Sequence, residues 1–66
     1  MNRREFIQYL INNFNLSVEI MELIDSILGF VESHYHNQSE QHDVLHELLD
    51  NLRIGLEYNE IEQIRL

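Results

Sequence analysis

Apolar residues recur every three or four positions along most of this chain, the spacing of amphipathic helices. The first run holds Phe6, Ile7, Leu10, Ile11 and Phe14 and predicts a helix over about 2–14. Asn2 is placed to cap its N-terminus, and the cluster Asn12, Asn13 and Asn15 favours an end and a turn. The second run carries Ile20, Met21, Ile24, Ile27, Leu28, Val31 and Tyr35 on one stripe, predicting a helix over about 17–36 with Ser17 or Asn15 as cap. Leu16, Leu23 and Phe30 widen that stripe to roughly 180°, against ~100° for a surface helix, so this helix should be central. Its polar side holds Glu19, Glu22, Asp25 and Glu32. Ser26, Gly29 and Ser33 form a row of small residues there, either a solvated face or a groove for a close neighbour.

After the break at Asn37-Gln38-Ser39, with Ser39 as cap, Leu45, Leu48, Leu49, Leu52 and Leu56 predict a third helix over about 40–53. The pattern then changes phase. Ile54, Tyr58 and Ile61 would lie opposite the leucine stripe if the helix continued, and a straight helix would need two buried faces. A break near Gly55 resolves the conflict. Asn59 with Glu62 resembles a capping box and predicts a short final helix over about 60–66. The alternative is a strand or hairpin from Arg53 to Leu66, for which Asn59-Glu60 is a poor turn. The expected fold class is all-α: a single domain, 1–66, of three helices with a short C-terminal helical tail.

The apolar supply exceeds what three short helices bury. Tyr9 and Ile11 widen the first helix's face, Leu23 and Phe30 the second's, and Ile54, Tyr58, Ile61 and Ile64 make a separate face in the tail. Surplus apolar surface marks an interface. Small helical chains often complete their core by pairing, so these eight residues predict a two-fold homodimeric bundle. A compact monomer with the tail folded back is the alternative.

Charge narrows the partners. Twelve Asp and Glu face four arginines, giving −8 over 66 residues. Nucleic-acid binding and adhesion to an anionic membrane both need a basic face, so neither is expected. No apolar run reaches the ~20 residues of a membrane span. No signal peptide is expected, because Arg3 and Arg4 lead into an amphipathic segment, and a cytoplasmic location is the default. Those arginines sit where the helix dipole disfavours positive charge, which fits either tolerated surface charge or a meeting with carboxylates. Glu19, Glu22 and Asp25 make one acidic ridge, and Asp43, Glu47 and Asp50 another. Each is either a solvated face or a surface for a basic protein partner, mimicry of DNA phosphates being one form of the latter.

His34, His36, His42 and His46 are the only chemical constellation. His42 and His46 stand one helical turn apart, and His42-Asp43-Val44-Leu45-His46 superficially resembles the zinc-protease motif H-E-x-x-H. Asp43 replaces the glutamate that serves as general base, and so short a chain has little room for a substrate cleft. The four histidines are the residues a metal site would have to use, and no metal, cofactor or catalytic residue is expected. In size, acidity and leaderless start the chain is similar to small accessory proteins of phages and mobile elements, a likeness of type that implies a stoichiometric inhibitor or adaptor of a larger protein. The leading reading is a non-enzymatic protein–protein interaction module. The alternatives are a histidine-based metal- or pH-responsive regulator and an acidic DNA mimic.

Overall fold

In the computed structural model, which describes residues 1–66, the chain forms four helices: α1 (Arg3–Asn13), α2 (Val18–His34), α3 (Gln38–Asn51) and the single turn α4 (Tyr58–Ile61). There is no strand. One isolated parallel bridge joins Asn2 to Arg65. No helix is long and apolar enough to cross a membrane.

Local chemistry sets the helix ends. Asn2 caps α1 with a complete capping box: its Oδ1 accepts the Glu5 N–H at 2.9 Å, and Glu5 Oε1 accepts the Asn2 N–H at 2.9 Å. Ser17 Oγ accepts the Ile20 N–H at 3.2 Å and caps α2. The cap of α3 is Asn37 rather than the expected Ser39. Its side-chain oxygen takes the Ser39 N–H at 2.8 Å and the Glu40 N–H at 3.4 Å, so the helix begins two residues early. Tyr35 is extended, which ends α2 at His34, and its carbonyl accepts from the Gln41 side-chain amide across the turn.

The end of α3 differs from the expected break at Gly55. Arg53 adopts the left-handed conformation, φ 60°, and no glycine does. The Arg53 N–H donates to Asp50 O at 3.0 Å and the Ile54 N–H to Leu49 O at 2.9 Å. These are the two bonds of a Schellman motif, with Ile54 and Leu49 supplying its apolar contact inside the core. Gly55 lies at the centre of the three-residue turn that follows, where Leu56 N–H donates back to Ile54 O at 2.9 Å.

The tail also departs from expectation. Asn59 lies within α4, Glu57 precedes it without a side-chain cap, and the expected helix over 60–66 stops after Ile61. Past Ile61, i→i+3 bonds, Gln63 N–H to Glu60 O and Ile64 N–H to Ile61 O, tighten the turn. Ile61 and Ile64 then both point inward, and Arg65 reaches the N-terminus.

One cluster forms the core: Phe6 and Leu10 of α1, Ile24 and Leu28 of α2, Leu45 and Leu49 of α3, and Ile54, Leu56, Ile61 and Ile64 of the tail. Four of ten members thus come from after α3. The apolar face read as a partner surface at Ile54, Ile61 and Ile64 is the chain's own core, each at most 2% exposed. The phase change after Arg53 is the signature of a chain that turns back over its own helices.

Candidate interaction surface

Polar contacts fasten the tail at several points. The Tyr9 hydroxyl of α1 donates to Glu60 Oε2 at 3.1 Å, and the Tyr58 hydroxyl donates to Asp43 Oδ1 of α3 at 2.7 Å. Both phenols therefore have raised pKa values. A hydrogen bond to a carboxylate that would repel the phenolate is the leading cause in each, with desolvation adding to it. The Met1 ammonium donates to Gln63 O, and the Arg65 N–H donates to Met1 O at 2.6 Å. Tyr9 and Tyr58, expected at a partner interface, are half-buried staples between the tail and the helices.

The histidines do not converge. His42 is buried, and its Nε2 lies 2.9 Å from the Ile64 carbonyl oxygen. A carbonyl only accepts, so Nε2 carries the proton and donates. His46 meets the Tyr58 ring edge-on, centroids 5.6 Å apart. His34 stacks on Phe30 at 4.0 Å, and its Nδ1 donates to Phe30 O at 3.0 Å. His36 is exposed in the turn before α3. No three His, Asp or Glu side chains come together as a metal-binding group. In the run His42 to His46, one ring is spent on the tail's backbone, and Asp43 is held by a tyrosine.

The acidic ridges are interrupted. Arg3, in the first turn of α1, reaches across to α2. Its Nε donates to Asp25 Oδ1 at 3.2 Å, one terminal nitrogen to the Asp25 carbonyl at 3.2 Å, and the other to Glu32 Oε2 at 3.4 Å. The contact with the chain's own carboxylates offsets its unfavourable place in the α1 dipole. The guanidinium lies over Gly29, where an added Cβ would stand 3.4 Å from it. The small-residue row of α2 therefore holds an arginine side chain at Gly29. Arg4 is exposed and makes no salt bridge. Glu19, Glu22, Glu47 and Asp50 are exposed and unpaired.

Four helical apolar side chains stay well exposed: Ile11 at 53%, Val18 at 69%, Leu23 at 45% and Phe30 at 53%. Ile11 and Val18 line a shallow groove where α1 meets α2, with Leu16 and Met21 at its floor and Glu22 and Asp25 at its rim. Leu23 and Phe30 lie elsewhere on α2. Of the eight residues expected at an interface, then, three are core, two are staples, and Ile11, Leu23 and Phe30 remain at the surface. Sequence reasoning left Arg3 open between tolerated surface charge and a contact with carboxylates, and it missed His42 as the tail's anchor. The signal for Arg3 was Gly29 flanked by Asp25 and Glu32 on one helix face.

Comparison of the chain with protein-family models, with curated protein sequences and with solved structures found no match.

Proposed function

We propose that this chain is a non-enzymatic interaction module that binds a basic region of a larger protein. The observation that carries the reading is the state of its carboxylates. After Arg3 has engaged Asp25 and Glu32, the exposed Glu19, Glu22, Glu47 and Asp50 still have no cation opposite them. A net charge of −8 on 66 residues costs self-repulsion in the folded state, which a cationic partner relieves. Such a surface speeds encounter with a basic partner and disfavours acidic ones.

The same reasoning ranks the finer versions. Two copies would bring like charges together, and the tail residues expected to join them are used within one chain, so a different protein is favoured over a second copy. Phosphate mimicry needs a regular row of free carboxylates, and the engagement of Asp25, Glu32 and Asp43 breaks each row. A docking surface that combines charge with apolar contact fits better than a pure DNA mimic.

The test is affinity capture with the intact chain from its source cells, followed by calorimetry on purified components. A one-to-one complex with a basic protein, weakening between about 50 and 500 mM salt, is the expected result. Absence of any stoichiometric protein partner, or an affinity indifferent to salt, overturns the reading.

A further inference from the structure

The outer face of the α2–α3 hairpin carries an apolar seam that the fold does not use. Leu23, Ile27 and Phe30 follow one another at spacings of four and three, the a/d rhythm of a coiled coil, and lie within about 60° of one another around α2. Leu23 and Phe30 are 45% and 53% exposed, and Ile27 is half-buried. On α3, Val44 and Leu48 are half-buried and share one edge.

Two contacts orient these strips. Asp25, which Arg3 of α1 engages, lies about 160° round α2 from Leu23. His46 and Asp43, which both meet Tyr58 of the tail, lie about 160° and 100° round α3 from Val44. Both strips therefore point away from α1 and from the tail, onto the side of the hairpin that no other element covers. Two helices with an apolar strip between them present a seat for a third.

The rim decides what sits there. Beside Leu23 on α2 stands Glu19, and beside Val44 on α3 stand Glu40 and Glu47, one heptad apart; all three are exposed and without a salt bridge. His34 stacks on Phe30 at one end of the seam, and no arginine forms a salt bridge with the three glutamates. The α1–α2 groove has one free carboxylate, Glu22, because its other acidic residue, Asp25, is already neutralised by Arg3.

We infer that the seam of Leu23, Ile27 and Phe30 with Val44 and Leu48 docks an amphipathic helix of another protein, its apolar a/d stripe flanked by Arg or Lys. Its cations would meet Glu19, Glu40 and Glu47 as e/g charges do in a coiled coil. A second copy of this chain would instead set those carboxylates against their own equivalents. The inference rests on the proposed function and names the surface and the partner's chemistry.

The probe is a labelled three-heptad peptide with Leu at a and d and Arg at e and g, titrated with the intact chain by fluorescence anisotropy. Like charges at e and g keep the peptide from pairing with itself. The peptide should bind, and Leu23→Ser/Phe30→Ser should weaken binding by about tenfold or more while helical circular dichroism is unchanged. Ile11→Ser/Val18→Ser should leave affinity within about twofold, and the peptide with Glu at e and g should not bind. Equal binding to Leu23→Ser/Phe30→Ser would mean charge attraction alone and overturns the seam. So does loss of binding confined to the Ile11→Ser/Val18→Ser variant, absence of binding by the basic peptide, or a concentration-dependent dimer that Leu23→Ser/Phe30→Ser dissociates. A natural protein partner that binds Leu23→Ser/Phe30→Ser at full affinity rejects this surface and leaves the proposed function standing. Peptide binding with no natural partner does the reverse.

Discussion

Replacing Ile61 by alanine tests whether the tail is core. Ile61 is fully buried and belongs to the same cluster as Phe6, Leu28 and Leu45. Truncation of such a side chain removes its transfer free energy and leaves a cavity, together about 2–5 kcal/mol. A chain of 66 residues has a total stability of roughly 3–10 kcal/mol at ordinary values per residue. One substitution should therefore take about a fifth or more of the stability. Deleting Leu56 to Leu66 removes three buried side chains, Leu56, Ile61 and Ile64, each contributing about 1.5–3 kcal/mol. It also removes the partners of His42, Tyr9 and the N-terminal ammonium. The sum reaches the whole stability, so the truncated chain should lack a cooperative transition. Urea and thermal unfolding followed at 222 nm measure both variants. Ile11→Ala, at an exposed position, is the control and should lie within about 0.5 kcal/mol of the parent. An Ile61→Ala chain as stable as the control, or a truncated chain that melts like the parent, would refute the reasoning and make the tail an appendage.

Other outcomes follow from local geometry. Arg53→Gly should raise the urea midpoint by an amount equivalent to about 1 kcal/mol, because a left-handed residue with a side chain is strained and glycine is not; an unchanged or lower midpoint counts against the strain. Gly29→Ala should also stabilise, by about 0.5–1 kcal/mol, since a mid-helix glycine is costly and the new Cβ would meet the Arg3 guanidinium only at ordinary contact distance. A loss of stability there would show that Arg3 needs the bare backbone. At alkaline pH the sign is fixed by the raised phenol pKa values of Tyr9 and Tyr58. The unfolded phenols ionise first, near 10, so the native state holds more protons and stability falls as pH rises from there through the folded values. Tyr9→Phe/Tyr58→Phe should flatten that fall in melts recorded between about pH 9 and 11, and an identical slope in the double variant would contradict the assignment.

The helices were legible because their signals are local. Asn2 and Ser17 announce themselves as caps, and the stripes of α1, α2 and α3 repeat at the helical period over enough residues to outweigh noise. The tail was legible only as a conflict. The phase shift after Arg53 shows that Ile54 and Ile61 cannot share a straight helix with Leu45 and Leu49, yet says nothing about whose core they enter. That depends on contacts between the tail and α1, far apart in the chain, which periodicity does not encode. The expected site residues divide on the same line. Leu23 and Phe30 stay exposed because they lie beyond the arc of α2 that its neighbours cover, and Ile64 is hidden because it follows Ile61 by three residues and enters the same core. The position of Arg53 was misread because glycine is the usual left-handed residue, and the nearest one, Gly55, drew the assignment. His42 looked like a ligand by spacing, and only the fold shows that its ring nitrogen is committed to a backbone carbonyl.

The meeting of the two ends has a consequence for how the protein comes into being. Met1 is bound to Gln63 and Arg65, and the core needs Phe6 as much as Ile64. Contacts between such distant positions are slow to form compared with those inside a helical hairpin. During synthesis α1, α2 and α3 emerge first, and they can coil and collapse. They cannot finish a core whose last wall is still being made. Until Ile64 is free of the ribosome, the nascent chain displays the apolar faces that the tail will cover, in the window when chaperones engage unfinished chains. Folding is therefore a closing event, completed once the segment around Ile64 has left the ribosome and can come back to α1.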